Sequence, residues 1–546
     1  MKTKIFKSVL AVAIASPALL TSCIEETVPT QLVTDSQLAE SPKASEALLW
    51  EMTAIYNKFN TLGADQHYDW GYGSIMHIRD VMTEDYAVAS SSYDHYSAWE
   101  QDLNIGESYM TTQFVWTYFW KQVQTANNVL RAMPAVEAAT DAQRGSIAIA
   151  SAQRASMYLD LARMYEFLPN DKTSNINADG NDVLNLTVPI VSESTTEEEA
   201  KNNPRVSRQV MAEFILHDLD VAEANIEKTS RLDKTMPDLA VVYGLKARYY
   251  MWLEDYANAR DYARKAIDKS GAKPLSEDEL TSVTNGFNTL SVSSWLWGMQ
   301  TTKEDRVVTS GILNWTSWVC NETEFGYASE GPKPMVSKEM FTRISDTDCR
   351  KKWWVGTKGS AHNKKLEFVN DNFNIENASA ERAVCEYGSI KFRPGSGDPN
   401  LYSVACVVGI PLMRVEEMYF IEAEAAEHVS PGAGKALCET FMKTYRDPNY
   451  TFPTKGGNVD GMTAAVEEIV FQKRVELWGE GQTFYDFKRL NISVDRASAG
   501  NFYANCRFTT SGRPAWMNFC IVRSEGNSNK AVMGWNNPDP SGLYKN

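Results

Sequence analysis

The stretch from Ala240 to Ile267 constrains the fold more than any other part of the chain. Tyr243, Ala247 and Tyr250 follow one another at offsets of four and three, which places them on one face of a helix. After Leu253-Glu254-Asp255, Ala259, Ala263 and Ala266 repeat the same spacing. Two antiparallel helices with aromatics on one and alanines on the other can approach closely, because alanine adds no bulk beyond its methyl group. A lone hairpin of this kind cannot bury its apolar face, so the pattern predicts a stack of helical pairs.

The hairpin resembles a tetratricopeptide unit, and similar small and aromatic spacing recurs in Ala152 to Phe167 and in Met413 to Tyr445. Further helices are expected from Lys43 to Asn60, Phe114 to Met133, Ile147 to Phe167, from an N-cap at Ser207 through Phe214, Ile215, Leu219 and Ala222, from Pro411 to His428, from Lys435 to Tyr445 and from Thr463 to Trp478. Between Lys269 and Gly409 no long helical period persists, and Gly, Ser, Asn and Trp become frequent. The expected fold is mostly α: tetratricopeptide-like hairpins, which by that resemblance form a right-handed superhelical body, with a loop-rich insertion of short strands. The expected segments are a signal (1–22), a tether (23–41), an N-terminal helical region (42–268), the insertion (269–409) and a C-terminal helical region (410–546).

The N-terminus sets the compartment. Lys2, Lys4 and Lys7 precede an apolar run from Ser8 to Leu20, too short to span a bilayer as a stable helix, which is the layout of a secretory signal peptide. Leu20-Thr21-Ser22-Cys23 resembles the lipobox of bacterial lipoproteins, which implies cleavage before Cys23 and acylation of that residue. Several acyl chains anchor firmly, since each buried methylene contributes about 0.8 kcal/mol. Glu25 and Glu26 resemble the acidic signal that sends some such proteins to the outer face of the outer membrane. Removing residues 1–22 from 546 leaves 524 and takes away three lysines, so the formal charge goes from −16 to −19. So acidic a surface argues against nucleic acid and against charge-driven binding to anionic lipid. Seven further cysteines, Cys320, Cys349, Cys385, Cys406, Cys438, Cys506 and Cys520, show neither C-x-x-C nor zinc spacing and read as buried structural thiols, with room for one or two bridges.

Several blocks, in order, resemble the SusD/RagB family of surface nutrient-binding lipoproteins. They are Arg414 to Ala425, Glu476-Leu477-Trp478-Gly479-Glu480-Gly481 with Asp486-Phe487-Lys488-Arg489, Asp69-Trp70-Gly71-Tyr72 and, loosely, Trp116 to Asn128. The second block has Thr483 where that family has Arg. The resemblance implies a catalytically silent receptor that hands an oligosaccharide to a TonB-dependent (SusC-like) outer-membrane barrel.

Sugar rings are recognised by flat aromatic faces flanked by polar side chains. Two stretches offer that mixture: Asp69 to Trp99 and Trp295 to Trp318. The candidate ligand contacts are Asp69, Tyr72, Asp85, Tyr96, Trp99, Asn314, Trp315 and Trp318, each also suited to a core. Trp99, Trp315 and Trp318 have polar neighbours and are expected to be the exposed platforms; Trp297, Trp353 and Trp354 are expected deeper. Glu476, Glu480, Asp486 and Arg489 read as an inter-helical charge network, and Glu416, Glu417, Glu422 and Glu424 as a solvated helix face rather than a glycosidase pair. Asn175 to Gly180 has the alternating oxygens of a calcium loop but Leu186 where the closing acid belongs, so no cofactor is expected and a plain polar loop is the reading kept. The alternatives are a peptide-binding relative, a surface glycosidase or esterase, for which no G-x-S-x-G stands in the chain, and a purely structural scaffold.

Overall fold

The structure is a computed structural model, and it describes residues 42–360, 385–453 and 461–545. The signal, Cys23 and the tether lie outside the described residues.

The expected helices form. In chain order α1 is Pro42–Ala54, α2 Tyr72–Val81, α3 Met110–Ala132, α4 Asp141–Tyr165, α5 Arg208–Asn225, α6 Leu239–Leu253 and α7 Tyr256–Ser270. Their ends are set by local chemistry. Thr140 and Gln143 close a capping box at α4, and the Ser207 hydroxyl accepts from the Val210 N–H at α5, as its sequence predicts. The α6–α7 turn is only two residues long. Glu254 takes a left-handed conformation (φ 59°) that ends α6, and the Asp255 carboxylate at once caps α7. Ala259, Ala263 and Ala266 of α7 are fully buried, and α7 packs on both α6 and the later helix Val415–Val429. Neighbouring helices stack in series, α4 on α5, α5 on α6 and α6 on α7, which is the hairpin stack the spacing predicts.

The insertion carries short elements: β2 (Trp295–Gln300), α8 (Trp315–Val319) and β3 (Pro334–Val336). It is tied to the body by two antiparallel pairs. β1 (Tyr86–Val88) pairs with β3, Tyr86 opposite Val336, and β2 pairs with β4 (Gly409–Arg414), Trp295 opposite Arg414. The expected helix from Pro411 therefore begins later. Residues 409–414 are a buried strand, and α9 runs Val415–Val429. An apolar run buried on both faces does not reveal its period, and Pro411 has no N–H to give a helix. Then follow α10 (Ala433–Tyr445), α11 (Ala464–Glu476), capped by Thr463, and α12 (Thr483–Arg489).

One continuous apolar core runs through the N-terminal helices, the insertion and the C-terminal helices. Six of the seven cysteines are buried, Cys385 is half-buried, and none is bonded to another. No helix among the described residues is long and apolar enough to cross a membrane.

The C-terminal motif residues build an ion-pair lattice inside this core. Arg414 reaches Glu416 (3.0 Å), Glu476 (3.2 Å) and Glu480 (2.8 Å), and Arg446 reaches Glu476 (2.8 Å). Lys391 binds Glu480 (2.6 Å) and two main-chain carbonyls, and Arg489 binds Asp486 (3.0 Å) and Glu424. Burial raises the Glu476 carboxyl, but Arg446 and Arg414 outweigh it and hold it well below the usual carboxylate range. The solvated-face expectation for α9 is corrected: Glu416, Glu417, Glu422 and Glu424 are all buried. Each meets an arginine, Glu417 with Arg248 at 2.6 Å and Glu422 with Arg264 at 2.5 Å, because α9 is wrapped by α7, α10 and α11.

Candidate functional site

The two aromatic stretches singled out in the sequence do meet. Trp318 lies 5.1 Å from Trp70 and 5.0 Å from Tyr96, both edge-on, and stacks on His77 at 5.8 Å. Trp99 packs edge-on against Tyr68 at 5.1 Å. Gly71 makes the turn that brings Trp70 and Tyr72 in: its φ is +84°, and a Cβ there would collide with the carbonyl of Tyr56.

The side chains lie deeper than expected. Asp69, Tyr72, Asp85, Tyr96, Trp99, Asn314, Trp315 and Trp318 are all 4 % exposed or less. The exposure expected of Trp99, Trp315 and Trp318 is corrected; they are as buried as Trp297, Trp353 and Trp354. Polar sequence neighbours do not keep an indole in water when the loop folds back and buries its ring against other aromatics. The eight fall into groups. Asp69 accepts from the Leu62 N–H (2.7 Å) and the Thr61 hydroxyl, and so fixes the loop before it. Asn314 caps α8 through the Ser317 N–H (3.0 Å) and donates to the Ser310 carbonyl (2.8 Å). Tyr96 bonds Ser74 at 2.8 Å. Tyr72 and Asp85 belong to interior charge pairs, with Asp160 and Arg79 and with Arg474 respectively, and Trp315 packs on Phe392 at 5.3 Å.

The loops held by Asp69 and Asn314 border a surface cleft of about 320 Å³, lined by Phe59, Asp65, His67, Arg306, Val307, Ser310 and Leu313. The Arg306 guanidinium lies 5.1 Å from the Phe59 ring centre, a cation–π contact. His67 Nδ1 and His95 Nε2 are 2.6 Å apart, and Tyr93, 47 % exposed, stands edge-on to both rings. Burial, then the neighbouring His67, lowers His95 to about 4, so at neutral pH it is uncharged. The rim thus combines ring faces (Phe59, Tyr93), a guanidinium, a carboxylate, a hydroxyl and imidazoles, which suits binding a hydroxyl-rich ligand. Asp65 is the one carboxylate among the described lining residues. Phe59, His67, Arg306 and Leu313 have no recognisable sequence signal; their proximity arises from the fold.

The Asn175–Gly180 loop turns inward on itself. Asn177 Oδ1 accepts from the N–H groups of Asp179 (3.1 Å) and Asn181 (3.0 Å), and its amide donates to the carbonyls of Gly534 and Asn536. Its oxygens are committed to shaping a turn, and it pins the C-terminal tail.

A stack of helical hairpins carrying a loop-rich insertion defines the class of protein: an α-helical repeat body presenting a loop-built cleft. More particularly, the chain has the SusD-like fold. Among solved structures it is similar to a SusD-like carbohydrate-binding protein from Bacteroides vulgatus (TM-score 0.68, 22% identity, 90% of this chain and 97% of that one). It is also similar to SusD superfamily proteins from Bacteroides thetaiotaomicron (TM-score 0.64, 16% identity, 91% and 100%) and Bacteroides fragilis (TM-score 0.61, 18% identity, 90% and 99%). No protein-family model matches the sequence, and no curated protein does.

Proposed function

We propose that the protein is a cell-surface receptor for oligosaccharides, anchored by lipid on Cys23 in the outer membrane, which passes its ligand to a TonB-dependent, SusC-like barrel. It binds and does not catalyse. The observation that carries this reading is the cleft itself: loops from both aromatic stretches converge on a rim where the exposed Tyr93 ring adjoins polar side chains. The fold it shares with a carbohydrate-binding protein supports the ligand class. In this reading Asp69, Tyr96, Trp99, Asn314 and Trp318 act from below, holding the loops that touch sugar. The anchor rests on the lipobox-like Leu20 to Cys23, and the barrel partner on the family resemblance.

Isothermal titration of the full-length mature protein against a panel of oligosaccharides tests the site. Tyr93→Ala and Arg306→Ala should each weaken binding about tenfold or more, as loss of one stacking or charge-assisted contact does. Binding of oligopeptides and no glycan, or glycan binding indifferent to both substitutions, overturns the assignment. Incorporation of labelled palmitate that depends on Cys23 tests the anchor.

A further inference from the structure

A second feature lies where the N-terminal hairpins meet the C-terminal helices. A cavity of about 40 Å³ is lined by six cationic side chains, Arg163, Arg208, Arg248, Lys473, Lys488 and Arg489, against three carboxylates, Glu166, Glu417 and Asp486. The carboxylates are already committed. Glu417 is held by Arg248 (2.6 Å), Asp486 by Lys473 (2.8 Å) and Arg489 (3.0 Å), and Glu166 by Arg208 (2.9 Å) and the Trp252 N–H (2.9 Å). Arg163 must turn to Asp160 (2.6 Å), which it shares with Arg79 (3.0 Å).

Lys488 is left over. It is buried, and its ammonium donates only to the carbonyls of Met164 (2.8 Å) and Glu166 (2.7 Å). Three cations, Arg205, Arg208 and Arg513, crowd it against the single carboxylate of Glu166, and burial with their repulsion pushes it well below the usual lysine range. Arg205 and Arg513 themselves bond to main-chain carbonyls and to Asn537, not to acids. Gln482, 7 % exposed, also lines the cavity, and its amide has no hydrogen-bond partner among the described residues. The positive charge of Arg205, Arg208 and Arg513 around it is unfavourable out of water unless an anion accompanies it, and an anion beside Lys488 would restore its ammonium form.

By the same measure of volume a water needs about 10–15 Å³, so the cavity has space for roughly three water-sized positions. That accommodates a chloride with a water or two.

We propose that this cavity holds a small monovalent anion, chloride at ordinary salt, between the Lys488 ammonium and the Gln482 amide, stapling α4 and α6 to α9, α11 and α12. This site is separate from the glycan cleft and does not depend on it. The full chain is melted in sodium chloride and in sodium gluconate, whose anion is too large to enter, at equal ionic strength. Chloride should raise Tm by about 2–4 °C. Crystals grown with sodium bromide should show an anomalous peak in the cavity. Lys488→Met should abolish the chloride increment; should that variant not fold, Gln482→Leu, which keeps every charge, should reduce it. Equal melting in both salts, no bromide in the cavity, or an increment unchanged in the variants that fold overturns the proposal.

Discussion

The aromatic cluster under the cleft and the ion-pair lattice around Glu476 are equally buried and are held by opposite means. In the lattice every charge has a partner of opposite sign, and most have two. In the cluster the rings supply contact area, and some polar atoms go without: Trp70 Nε1, Trp315 Nε1 and His77 Nδ1 find no hydrogen-bond partner among the described residues. Ring packing is non-directional and loses stability in proportion to the surface removed, whereas an ionic lattice fails abruptly when one member leaves its partners charged and dry.

The sharpest way to break that contrast is Glu476→Ala. It takes one carboxylate from each of Arg414, Arg446 and Arg350, leaving three buried cations with less counter-charge, and should destabilise by about 3–5 kcal/mol in a urea melt. A loss under about 1 kcal/mol would mean the lattice is no more brittle than the cluster. Trp318→Ala should destabilise by about 3 kcal/mol or more through the cavity it leaves, and should also abolish glycan binding by releasing the loops above it. Trp318→Phe should recover most of both.

His77 sharpens the comparison through pH. Burial lowers it to about 3, while the unfolded chain binds a proton near 6.5. Between those values the unfolded state holds the extra proton, so this histidine destabilises the fold progressively as pH falls below about 6.5. Relative to His77→Phe, the wild type should therefore lose about 2 kcal/mol between pH 7 and pH 5. A constant difference across that range would mean that His77 titrates in the fold as it does in the unfolded chain. The smallest effect on stability belongs to Tyr93→Ala, within about 0.5 kcal/mol because the ring is exposed, although its effect on glycan affinity should be plain.

Much of the helical body was legible in advance because it rests on local rules. The small and aromatic spacing of Ala240 to Ile267, the cap at Ser207 and the absence of a helical period after Lys269 each correspond to what forms. Local rules failed where a distant partner decided the outcome. Residues 409–414 are extended because Trp295–Gln300 lies beside them, and the carboxylates of α9 are buried because Arg248, Arg264, Arg446 and Arg489 come from elsewhere in the chain. The candidate site shows both sides. That the stretches Asp69 to Trp99 and Trp295 to Trp318 each mix aromatic and polar residues was readable from composition, but that Trp318 packs on Trp70 and Tyr96, and which rings face water, was not.

By itself the sequence determined the helical repeat, the loop-rich insertion and the acidic surface, since these follow from periodicity, capping and charge within a few residues. Only the tertiary structure decided that the conspicuous tryptophans are buried and that Phe59, Asp65, His67 and Arg306 border the cleft. Burial depends on what packs against a side chain from far along the chain, and no local pattern encodes that.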